Sequence, residues 1–75
     1  MIVKNGLYRH FKGKLYTVMD LATHTETGEY LVIYRSLDTG KIWARPLEMF
    51  TSKVDKEKYP DSKQEYRFEF IVEQI

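Results

Sequence analysis

Three dipeptides, Lys12-Gly13, Thr27-Gly28 and Thr39-Gly40, interrupt runs rich in β-branched and aromatic residues, and this punctuation constrains the chain more than any other feature. Each glycine marks a tight turn between two extended segments. The segments are "LYRHF" (7–11), "KLYTVMDLATH" (14–24), "EYLVIYRSL" (29–37) and "KIWARPLEMF" (41–50), and they suit half-buried pleated surfaces better than helix. Successive turns of this kind give an antiparallel meander. Pro46 cannot donate to a ladder, so the fourth strand is expected to lie at an edge, to be bulged or to end there, and a barrel corner would account for it.

After residue 50 the pattern breaks. "TSKVDKEKYPDSK" (51–63) is polar and charged, and is expected to be a connector with at most one helical turn, which Asp55 or Asp61 would cap and Pro60 would stop. The chain then closes on "EYRFEFIVEQ" (65–74), where Tyr66, Phe68, Phe70 and Val72 alternate with charged residues as on a half-buried strand. The sequence therefore predicts an all-β domain spanning residues 1–75: a small five-stranded SH3-like barrel with one short helical turn before the last strand.

Turn chemistry also carries a register. If Asp38-Thr39-Gly40 is a three-residue loop with glycine in the left-handed position, Leu37 pairs with Lys41 and Arg35 faces Trp43. Ile33 then faces Arg45, so Arg35, Trp43 and Arg45 share one face of the sheet. A matching loop at Glu26-Thr27-Gly28 sets Met19 opposite Arg35, whereas a two-residue turn would set Asp20 there and swap the face. The structural account of this trio is a guanidinium resting on an indole ring, with Arg45 paired to Glu26 or Glu48. The functional account is a pair of bidentate donors beside an aromatic platform, suited to phosphate, carboxylate or a base.

Composition removes several other readings. Without cysteine there is neither a disulfide nor a thiolate, which suits a reducing, cytoplasmic compartment. A net charge of +1 gives no bulk attraction to nucleic acid or to an anionic membrane, so any anion site must be local. No apolar run approaches a membrane span. His10 and His24, fourteen residues apart, lack a diagnostic metal-ligand spacing, and no cofactor is expected. Glycine-rich phosphate loop and nucleophile elbow are both missing, which weighs against an enzyme.

Four blocks carry a family resemblance: "YRHFKG" (8–13), "ATHTETGEYLVIYR" (22–35), "WARPLEMF" (43–50) and "YRFEFI" (66–71). In this order they resemble the small bacterial family DUF1653, which has no assigned activity, cofactor or partner. The resemblance stresses Arg9, His10, His24, Arg35, Trp43, Arg45 and Arg67 among others. The expectation drawn from residues and resemblance together is a noncatalytic recognition module. Its expected ligand is anionic or planar, held by Arg35, Trp43 and Arg45 with Arg9, His10 and His24 beside them. The alternatives are a protein-interaction or homodimeric adaptor domain, through an edge strand and exposed aromatics, and single-stranded nucleic-acid binding by aromatic stacking.

Overall fold

The computed structural model of the chain describes residues 2–74. It contains β1 (Gly6–His10), β2 (Leu15–Thr23), β3 (Tyr30–Ser36), β4 (Ile42–Pro46), the single helical turn α1 (Leu47–Phe50) and β5 (Phe68–Glu73). All strand pairs are antiparallel, in the order β4-β3-β2-β1-β5. The mainly-β class, the five strands and a short helical turn before the last strand agree with the sequence, but α1 lies at Leu47–Phe50, inside the segment expected to be the fourth strand, rather than in 51–63.

The expected closure into an SH3-like barrel does not occur, because β4 and β5 remain the two edges of one sheet. The sheet is nonetheless strongly curled. Three strand spacings separate β3 from β5, about 14 Å if the sheet were flat, yet the rings of Tyr34 and Phe68 lie 5.4 Å apart. Side chains pack between the two edges, and an isolated bridge between Lys53 and Tyr66 ties the segment after α1 to the approach to β5. Pro46 ends β4 and leads into α1, so the expected fourth strand stops four residues short of Phe50. Phe50, only 1% exposed, stacks on Phe68 at 4.0 Å and meets Tyr8 and Tyr34 edge-on. With Val18 and Val32 these rings form the core.

Both longer hairpin loops have the same construction, as the sequence suggested, but each holds four residues rather than three. In one, Gly28 N–H donates to the His24 carbonyl; in the other, Gly40 N–H donates to that of Ser36. Both glycines have φ of 76°, where a β-carbon is strained. The extra residue is stabilised by a side-chain acceptor at the start of each loop. His24 Nδ1 accepts from the Glu26 and Thr27 amides, and Ser36 Oγ from those of Asp38 and Thr39.

That one residue reverses the predicted faces. Tyr34, not Arg35, lies opposite Trp43, and Val32 lies opposite Arg45, so Trp43 and Arg45 share the core face. Arg35 lies with Thr17 and Ile42 on the other face. A register shift between β1 and β5 has a similar effect at the chain's end: Phe70 opposes Tyr8, whereas Val72 opposes Leu7 on the outer face. The uninterrupted apolar face expected for β5 is therefore divided.

Candidate functional site

A cleft of about 330 Å³ opens beside the seam between β4 and β5. Its walls come from three places: the turn after β1 (His10, Phe11, Lys12), Arg45 of β4, and the 51–67 segment, which supplies Val54, Asp55, Lys58, Tyr59 and Arg67.

Each wall has a local cause. The β1–β2 loop is a three-residue turn in which Gly13 N–H donates to the His10 carbonyl and Lys12 N–H donates to His10 Nδ1 at 3.1 Å. This fixes the imidazole as an acceptor at Nδ1, leaving its proton on Nε2. The polar 51–67 segment is well tied. Val54 N–H bonds the Glu65 carbonyl, Arg67 N–H that of Ser52 and Phe11 N–H that of Arg67, while the Gln64 amide donates to the Arg9 carbonyl. Asp55 forms the expected cap, its Oδ1 accepting from the Glu57 and Lys58 amides while Tyr59 N–H bonds the Asp55 carbonyl. That turn presents Lys58 and Tyr59 to the cleft.

The two arginines are held alike. Arg45 Nε donates to the Tyr34 hydroxyl at 3.1 Å, and its guanidinium carbon lies 5.8 Å from the centroid of the Phe68 ring across the seam. Arg67 Nε donates to Ser52 Oγ at 3.2 Å. Among the described residues, no carboxylate forms a salt bridge with Arg45, Arg67, Lys12 or Lys58. The lysine ammoniums instead lie over Tyr59, at 5.3 Å for Lys12 and 5.6 Å for Lys58, and Tyr59 meets Phe11 edge-on at 4.8 Å.

His10 responds to this environment. Burial, reinforced by the charges of Arg45, Arg67 and Lys12, pushes its pKa down from 6.5 to about 4, so at neutral pH it is an uncharged donor.

Of the residues selected from sequence, the fold brings His10 and Arg45 together. Arg9 is on the outer face, 3.7 Å from Glu69. His24 caps the β2–β3 loop. Arg35 is exposed on the outer face, and Trp43 is 43% exposed with Lys41 Nζ, rather than Arg35, over its ring at 4.3 Å. Lys58 and Tyr59 lie in the polar, charged segment that the sequence reads as a connector. Their one sequence signal is an aromatic residue, Tyr59, set among lysines just before a proline.

A family model for a "Protein of unknown function (DUF1653)" matches residues 6–70, which include every strand but the last three residues of β5. The chain belongs to the DUF1653 family. A crystal structure of a family member from Bordetella bronchiseptica is similar to this DUF1653 domain, with a TM-score of 0.78 and 28% identity, over 97% of this chain and 92% of that one. No curated protein matches the chain. Among the described residues, no helix of the domain is long and apolar enough to cross a membrane.

Proposed function

We propose that this domain is a noncatalytic recognition module that binds an anionic ligand in the cleft between the β1–β2 turn, Arg45 and the 51–67 segment. The observation that supports the reading is the pair of guanidiniums. Each is anchored through Nε by a hydroxyl of the same chain, while the terminal nitrogens form no salt bridge among the described residues. An arginine anchored this way has little rotamer freedom left to lose, and its outer edge is a ready two-pronged donor for an oxyanion. His10 is held uncharged beside them, first by burial and then by the charges of Arg45, Arg67 and Lys12. The cleft is at the lower end of the size range for small-molecule sites. The setting we propose is cytoplasmic, in keeping with a chain that has no cysteine.

Amide NMR of the labelled protein, titrated with small phosphates, small carboxylates and short single-stranded RNA and DNA, tests this. Saturable shifts at His10, Lys12, Arg45, Lys58, Tyr59 and Arg67 are expected. Shifts confined to other surfaces, or none at millimolar ligand, would remove the reading.

A second reading is protein interaction through β5. It rests on a specific observation: β5 is an edge strand on which Phe70, Ile71 and Val72 are 46%, 38% and 51% exposed. Sedimentation velocity tests it, since a homodimer would cover this edge.

A further inference from the structure

We infer that the ligand of this cleft is a phosphate monoester in its dianionic form, bound as part of a small molecule. The inference rests on the recognition reading above and narrows it to one ligand chemistry.

Charge balance is the first ground. Four cationic side chains, Lys12, Arg45, Lys58 and Arg67, line the cleft with one carboxylate, Asp55. One oxygen of that carboxylate is already engaged by two backbone amides. A carboxylate ligand brings a single charge, and one arginine fork satisfies its two coplanar oxygens. A phosphate monoester brings nearly two charges and three acceptor oxygens at neutral pH.

The second ground is the direction from which donors arrive. Arg45 reaches the cleft from β4, Arg67 from the approach to β5, Lys58 from the Asp55-capped turn and Lys12 from the β1–β2 turn. His10 adds an Nε2 proton, because its Nδ1 is committed to the Lys12 amide. Donors placed on several sides match the tetrahedral spread of phosphoryl oxygens better than a planar carboxylate. The anchoring of both guanidiniums fixes two of these directions before any ligand arrives.

The third ground is the wall beside the cations. Phe11, Val54 and Tyr59 line the same cleft and offer apolar contact to the group esterified to the phosphate. The small volume favours a compact ester over a polymer chain.

Isothermal titration calorimetry of the intact domain at pH 7.5, with methyl phosphate, methyl sulfate and acetate, tests the inference; adenosine monophosphate and inorganic phosphate then separate ester from free anion. Methyl phosphate is expected to bind at least about tenfold more tightly than acetate, and more tightly than methyl sulfate, which has the same shape and one charge fewer. Lowering the pH to 5.5 converts the ester to its monoanion, whose second pKa is about 6, and should weaken binding severalfold while His10 stays neutral. Arg67→Gln and Lys58→Gln should each weaken methyl phosphate severalfold to tenfold, with amide spectra showing that both variants are folded; Arg35→Gln, on the outer face, should leave it unchanged. Acetate or methyl sulfate binding as tightly as methyl phosphate would overturn the phosphate assignment and leave anion recognition standing. No binding by any of these anions would overturn both.

Discussion

Arg45 and Tyr34 lie on neighbouring strands, and the guanidinium Nε donates to the phenol oxygen at 3.1 Å from an edge strand to a tyrosine that is only 4% exposed. One hydrogen bond thus links the aromatic core to the cleft. Tyr34→Phe retains the ring, its edge contacts with Phe50 and Phe68, and the volume of the core. We expect a small stability loss, about 0.5–1.5 kcal/mol for a deleted hydrogen bond, but a severalfold loss of anion affinity because Arg45 is no longer oriented. Chemical denaturation with a parallel binding titration separates the two effects.

Phe50 shows how few residues maintain the core. It is the sole buried residue of α1, and it fills the seam that backbone pairing leaves open between β4 and β5. Phe50→Ala is expected to cost about 3–5 kcal/mol, comparable to the whole stability of a domain this small. Thermal melts should show a largely unfolded variant, and Phe50→Leu should fold with a lowered Tm.

The pH dependence of stability should carry the mark of His10. Its folded pKa of about 4 lies below the unfolded value of 6.5, so the unfolded state takes up the proton first. His10 therefore contributes its full stabilisation above about pH 6.5, loses it progressively as pH falls toward 4, and has no more to lose below that. Discounted for partial exposure to solvent, the contribution is on the order of 1 kcal/mol. His10→Asn keeps an acceptor for the Lys12 amide and should flatten the wild-type slope between pH 6.5 and 4 in urea denaturation. An unchanged slope would place the titration elsewhere.

The loop caps are the reason the predicted faces were inverted. Glycine at the end of each hairpin was legible, and so was the likeness of the two loops. The extra residue depends on Ser36 Oγ and His24 Nδ1 turning back onto loop amides, a choice that strand periodicity does not encode. Arg35 and Arg45 consequently separate to opposite faces. Half of the cleft was similarly hidden: His10 and Arg45 stand out in sequence, whereas Lys58 and Tyr59 reach them through a polar segment with no periodic pattern to place it. The strands themselves were legible because alternation and turn residues act locally; the open edge between β4 and β5 was not, because it depends on Pro46 ending β4 and on Phe50 packing against residues far away in sequence.

Ser36→Ala tests the cap directly. It removes the acceptor of the Asp38 and Thr39 amides from a residue that is 6% exposed, and should cost about 1 kcal/mol. Gly40→Ala should cost a similar amount from backbone strain alone, since a β-carbon there would meet nothing within 4 Å. Hydrogen exchange should then show faster opening at the β3–β4 end of the sheet than at β1–β5.

Side-chain guanidinium NMR of the labelled domain, recorded with and without methyl phosphate, tests whether Arg45 and Arg67 are the anion-binding groups. The Arg45 and Arg67 Nε and Nη resonances should shift and sharpen as their rotation slows, while those of Arg9, paired with Glu69, and of Arg35 on the outer face should not move. Equal changes at all four arginines, or none at Arg45 and Arg67, would contradict it.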